Sequence, residues 1–325
     1  MEENQIKTKV VGVDISNDIT TYAIVDIRGN ILAESSFHTT DFPDVNTFVT
    51  ALSDNIVELV EANGGYESIR SIGVSSPSAS SVSGCVENAA NLPWKGIVPL
   101  AAMLRDRIGL AVGLSNDAHV SALGEYTFGC AHGMKNFIVL SIGVGLGSCF
   151  FSAGRDHEGH NGYAGEFGHT CVVNHGRKCG CGHEGCLEQY VAAAGIVTTA
   201  QELMEAGTPT LMRDLPKLTP RTIKQCCDQG DELAIEVYRR TGEMLGLGLA
   251  NYASLVDPEA IILTGGISRA GKWLLEPAYQ SFEDHVFGNL RGKVKIIVSQ
   301  LTDSERDVLG ASALAWSVPE YSLFK

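Results

Sequence analysis

The sequence predicts a two-domain α/β protein, and three observations carry that expectation. At 325 residues the chain exceeds what one typical hydrophobic core supports, so two domains are the default. A buried strand, a short turn and a returning strand occur near the N terminus and again near the middle, which suggests a duplicated architecture with the two turns facing each other across a cleft. Helical segments follow each strand-rich stretch.

Composition narrows the class. An apolar content of 44% with 36 glycines describes a soluble globular protein with many turns. The net charge of −14 is dispersed and argues against a nucleic-acid surface, which would gather Lys and Arg on one face. Nine cysteines without an apolar N-terminal signal segment point to a reducing cytoplasm, where thiols bind metal or stay free. No apolar run reaches the roughly 18 to 20 residues that a membrane-spanning helix requires.

Residues 9–26 read as two strands around a tight turn: VVGVDIS is apolar and β-branched, NDIT is polar, and TYAIVDI returns before the turn at Arg28-Gly29-Asn30. Asp14 falls near the end of the first strand, pointing into the turn, a position that also suits a turn-capping Asp. Residues 43–63 have helical spacing through Phe48, Leu52, Ile56, Leu59 and Val60. A third buried strand, residues 69–74, runs into the loop SSPSASS. Asn91, in NLPW, lies between that loop and a helix near 97–108, and fits an ordinary turn asparagine as well as a ligand contact. AVGLSN is a strand, and a helix begins near Ala118. Asp117 falls at their junction, where an Asp is commonly an N-cap and where open α/β sheets also place ligands.

Residues 136–154, NFIVLSIGVGLGSCFFSAG, repeat the first design. A buried strand meets a Gly-rich turn at Gly143, Gly145 and Gly147, and an apolar strand returns. Closely spaced backbone N–H groups in such turns cradle phosphate oxygens, although many Gly-x-Gly-x-Gly runs are plain tight turns. Further on, the chain is helical and amphipathic, with a polar linker around 206–220. Cys226 and Cys227 read as core or surface thiols. A helix over 231–256 ends before Asp257-Pro258, and AIILTGG is a buried strand feeding Gly265 and Gly266. KVKIIVSQL is a last strand, and VLGASALAWSV a short helix of small residues expected to pack back on the first domain.

Between these halves lies Gly165 to Glu188, GEFGHTCVVNHGRKCGCGHEGCLE. Cys179, Cys181 and Cys186 with a histidine can supply the S₃N tetrahedron that a structural Zn²⁺ prefers. Glycines 176, 180, 182 and 185 let the backbone turn around such an ion. His169 is preferred as fourth ligand because the same turn then fixes Glu166; His175 and His183 are rivals.

The same stretch, GEFGH followed by CGCGHEGCLE, resembles the signature of the ROK family of repressors and sugar kinases, which includes bacterial glucokinases and N-acetylmannosamine kinases. LSNDAHVSALGE at 114–125, SIGVGLG at 141–147, NLPW at 91–94 and ILTGGIS at 262–268 extend the resemblance over nearly the whole chain. It implies the α/β, two-lobed actin-like ATPase fold, ribonuclease-H-like, which the twice-stated pattern of three strands then helices fits. The N-terminal lobe is expected over 1–117 plus 301–325 and the C-terminal lobe over 118–300. The resemblance further implies an ATP-dependent kinase for a hexose or N-acetylhexosamine, acting as a homodimer. Asp117 would be its general base, and Asn116, Asp117, Glu166, His169 and Glu188 its sugar contacts, with Asn91 as a further candidate. Asp14, Gly143, Gly145, Gly147, Gly265 and Gly266 would hold ATP and Mg²⁺, and the zinc would orient the sugar wall.

The chain departs from the family pattern on the phosphate side. Where that pattern has Asp-Ile-Gly-Gly-Thr, this chain has Asp14-Ile15-Ser16-Asn17-Asp18. Val144 replaces a threonine, Ser148-Cys149 replace further glycines, and Ser78 follows Pro77 where the family has Gly. A sugar-binding regulator that has lost phosphoryl transfer is therefore the alternative expectation. The family's DNA-binding repressors carry an N-terminal helix-turn-helix, and the short segment before the first strand argues against direct repression.

Overall fold

The computed structural model describes residues 7–89, 91–160 and 162–319. The chain up to His132, together with the segment from Gln300, forms one compact unit, and Gly133–Ser299 forms the other.

In the first unit Lys9–Ile15 is the central strand of a five-stranded sheet, antiparallel to Ile19–Asp26 and parallel to Ile69–Ser76. Ile31–His38 and Ala111–Asn116 are the edges. The inner strands are buried almost throughout because both faces are covered, Ile69–Ser76 including its serines. Val45–Ala62 covers one face with Phe48, Leu52 and Ile56, its first turn capped by the Asp44 carboxylate. The SSPSASS loop contributes Ala79–Ser80 to a small sheet with Cys85–Glu87 and Ile97–Val98.

The other face is covered by Asp303–Ser317, which packs so closely that a Cβ at Gly73 would overlap the carbonyl of Ala311. The sequence reading begins this helix at Val308. A capping box between Thr302 and Glu305 begins it at Asp303 instead. The division between the units also differs from the expected 117/118. Helix Asp117–Thr127 packs on Asp303–Ser317, with Gly124 against Arg306 and Gly310 against Val120, and so belongs to the first unit.

The second unit orders its sheet as Arg155–Asp156, Leu146–Ser152, Phe137–Ile142, Ala260–Thr264, Lys295–Val298. The pairing runs antiparallel, antiparallel, parallel, parallel, as in the first unit. This repeated order is that of the actin-like ATPase, ribonuclease-H-like fold. Gly147 lies inside Leu146–Ser152 opposite Ser141, so its expected place in the turn is corrected: the antiparallel register closes the turn at Gly143–Gly145. The long helix Glu232–Val256 meets Lys272–His285 where Gly242 and Gly246 admit its backbone. Cys226 and Cys227 are buried in this unit's core. Within the expected polar linker, Leu211–Asp214 forms a 3-10 turn pinned by Asp231. Among the described residues no helix is long and apolar enough to cross a membrane.

Candidate functional site

The candidate residues fall into two groups, one in each unit.

In the first unit, Asp14 stands at the end of the central strand in register with Ser75. Asn116 ends the strand Ala111–Asn116, and Asp117 opens the following helix. Asn116, rather than Asp117, is the N-cap: its side-chain oxygen accepts from the Ala118 amide at 2.9 Å. The Asp117 Oδ1 accepts from the same amide at 2.8 Å. The Asp117 side chain keeps its contact with solvent. The protein packed behind it raises its pKa above the usual aspartate range, with the Ala118 amide and His119 opposing.

Sequence reasoning missed two neighbours of this pair. Arg306, its side chain 4% exposed, lies 2.9 Å from Asp303 and 3.0 Å from Asp307. Several carboxylates share this one guanidinium. Burial pushes Asp14 up to about 6, with Ser75 and Arg306 opposing and Asp117 reinforcing. Asp307 is pushed up to about 8, again chiefly by burial. The available signal was an Arg-Asp pair placed directly against an apolar run.

The first turn closes on itself. Both the amide and the hydroxyl of Ser16 donate to the Ile19 carbonyl, at 3.0 and 2.8 Å, and the Ile19 amide donates back to Ser16 Oγ. Asn17 Nδ2 donates to Asp18 Oδ1 at 3.0 Å. The groups of Ser16 are thus engaged locally, the Asn17 and Asp18 amides have no protein partner among the described residues, and a carboxylate stands at the exposed tip. Asn91 is exposed in its own turn, anchored by the buried Leu92 and Trp94.

The second unit's turn closes through its backbone alone, with no side-chain bond among the described residues and no carboxylate at its tip. The Gly143 amide donates to the Gly145 carbonyl at 3.0 Å, and Val144 is 86% exposed at the tip. The amides of Val144 and Gly145 have no protein partner among the described residues. Two adjacent free N–H groups are donors open to a further acceptor. Gly265, at the end of the neighbouring strand, packs on the Ile142 carbonyl with φ +82°, which excludes a side chain; open space surrounds Gly266.

The metal-type group adjoins this turn. The ligand atoms of His169, Cys179, Cys181 and Cys186 all lie within 4.8 Å of one another. Cys179 Sγ is 3.6 Å from His169 Nδ1, and the sulfurs of Cys181 and Cys186 are 3.7 Å apart. A zinc tetrahedron with bonds of about 2.0–2.3 Å has edges of about 3.3–3.8 Å, so these two distances match its edges and the donor set is the S₃N type that suits the ion. His175 and His183 are not in the group. His169 Nε2 faces Glu166 Oε2 at 4.0 Å. The short helix Phe167–His169, with Glu166 at its N-cap, is held by the Tyr252 hydroxyl on the Phe167 carbonyl and by stacking of the two rings at 4.0 Å. Glu188, just beyond Cys186, reaches the glycine turn, where its Oε2 accepts from the Leu146 amide at 2.9 Å.

A model of the ROK family matches residues 10–318. The chain is 35% identical over 316 residues to a glucokinase of Streptomyces coelicolor, covering 94% of this chain and 96% of that one. It is also 28% identical over 331 residues to a xylose repressor of Caldicellulosiruptor bescii, covering 99% of this chain and 82% of that one. A solved ROK family glucokinase of Streptomyces griseus, in complex with glucose and AMPPNP, matches with a TM-score of 0.78 at 31% identity, covering 95% of this chain and 99% of that one.

Proposed function

Because this chain belongs to the ROK family, we propose that it is an ATP-dependent sugar kinase that phosphorylates a hexose or N-acetylhexosamine. The observation that carries the proposal is Asp117: one carboxylate oxygen is fixed by the Ala118 amide, the side chain stays open to solvent, and its proton affinity is raised. A carboxylate so held suits a general base that takes the sugar hydroxyl proton as the γ-phosphoryl group leaves ATP. Asn91, Asn116, Glu166, His169 and Glu188 offer the amide, imidazole and carboxylate groups that read neutral hydroxyls. The free amides of Val144 and Gly145, next to Gly143, suit phosphate oxygens, with Gly265 and Gly266 on the neighbouring strand end. Asp14 offers the oxygen ligand that Mg²⁺ prefers.

A structural zinc on His169, Cys179, Cys181 and Cys186 would supply a fixed anchor without an open coordination position. Through it, His169 would keep its Nε2 toward Glu166. The free thiols fit a reducing cytoplasm. A homodimer is part of the same reading and rests on the family likeness.

The closed Ser16–Ile19 turn favours a second reading, a sugar-binding regulator without phosphoryl transfer. Phosphoryl transfer from ATP across a panel of hexoses and N-acetylhexosamines separates the two. Turnover with at least one sugar supports the kinase, and sugar binding with no transfer to any of them supports the regulator.

A further inference from the structure

Glu188 touches more than a sugar wall. Its Oε2 accepts from the Leu146 amide at 2.9 Å, directly after the glycine turn. A Cβ at Gly145 would stand 3.0 Å from that same oxygen, so the carboxylate rests against the turn's own backbone. On the other side of the turn, the Gly143 carbonyl accepts from the Ala193 amide at 3.0 Å. Both ends of the turn are therefore tied to the segment 188–193. Between the ties, the Val144 and Gly145 amides are left without a protein partner among the described residues.

We propose that Glu188 is a positioning residue for the phosphate-binding turn as well as a sugar contact, so that nucleotide and sugar share one carboxylate. This rests on the kinase reading above. A glycine-containing turn with no side-chain support samples many orientations of its amides, and ordering it on binding costs conformational entropy. The bond from Leu146 to Glu188 holds the exit of the turn, and Ala193 holds its entry. The two free N–H groups are thereby aimed before a phosphate arrives, which is preorganisation. The charge of Glu188 acts in the opposite direction, since a carboxylate near the turn repels phosphate. Geometry and charge thus make opposite predictions for two conservative variants.

Glu188→Gln keeps the reach and an acceptor oxygen while removing the charge. Glu188→Asp keeps the charge but is one methylene shorter, so it falls short of Leu146. Calorimetric titration of each full-length variant with AMPPNP–Mg²⁺, without sugar, reads the effect on the turn. Parallel titration with the sugar that the wild type phosphorylates reads the effect on the sugar wall. We expect Glu188→Asp to bind AMPPNP–Mg²⁺ about tenfold more weakly than wild type and Glu188→Gln to bind it at least as tightly as wild type. Sugar affinity should fall in both. Equal nucleotide affinity in wild type and Glu188→Asp, with only sugar affinity lost, would overturn the proposal and leave the kinase reading intact. Absence of AMPPNP binding by the wild type would overturn both.

Discussion

The Asp307 carboxylate lies 3.0 Å from the guanidinium of Arg306, a cation buried at the start of the helix that covers the first sheet. Asp14 and Asp307 are both pushed above the ordinary aspartate range, mainly by burial, with Asp117 adding to the rise at Asp14 and Asp14 to the rise at Asp307. Their titration affects stability in a definite direction. The folded protein keeps a proton on Asp307 up to about pH 8, whereas the unfolded chain releases it near pH 4. The native state therefore binds more protons across that window, and this group's contribution to stability falls as pH rises. Asp307→Asn should flatten the dependence of Tm on pH between about 4 and 8, with its gain over wild type largest at the alkaline end. Parallel Tm curves for the two proteins would place the ionisable charge elsewhere.

The four clustered ligands make a prediction about metal content. Protein purified without chelator should carry about one zinc per chain, and Cys181→Ser should lose most of it together with several degrees of Tm, because binding to the folded loop is also folding free energy. His175→Ala and His183→Ala should retain the metal. Elemental analysis and thermal unfolding on the same samples check this.

At Gly73 the expected effect is steric. Gly73→Ala would drive a methyl group into the Ala311 carbonyl, so helix Asp303–Ser317 would have to shift. The cost should be about 1–3 kcal/mol, as for overpacking in general, read from urea unfolding. Gly266→Ala, with open space around it, is the control.

How much of this was legible in the sequence depends on how local the relationship is. The metal-type group could be read because Cys179, Cys181 and Cys186 lie close together in one loop, and spacing alone limits where their sulfurs go. Asp117 could be read because a strand-to-helix junction is a short-range pattern. Arg306 and Asp307 could not, because they reach Asp14 only through the packing of the last helix on the first strand. A helix read from Val308 leaves the charged pair outside it, whereas the capping box at Thr302 includes it. The bond from Leu146 to Glu188 joins residues 42 positions apart, and no pattern in either segment announces it. Gly147 was misassigned for a related reason: three evenly spaced glycines do not show which of them a strand absorbs.

The first turn offers a test of the nucleotide side alone. Combining Ser16→Gly, Asn17→Gly and Asp18→Thr removes the hydroxyl that closes the turn onto Ile19 and one negative charge at its tip. AMPPNP–Mg²⁺ should bind more tightly to this variant. Unchanged affinity would mean that phosphate is cradled without the first turn, and the regulator reading would lose its main support.

The central claim is that Asp117 is the base of a sugar kinase, and the most direct measurement is the turnover of Asp117→Asn with ATP and the best sugar of the panel, alongside that sugar's affinity. The amide can still accept the Ala118 bond but cannot take a proton. Turnover should fall by about 10²–10⁴-fold while sugar binding stays within a few-fold of wild type. Near-normal turnover in Asp117→Asn would contradict the assignment and move the base elsewhere.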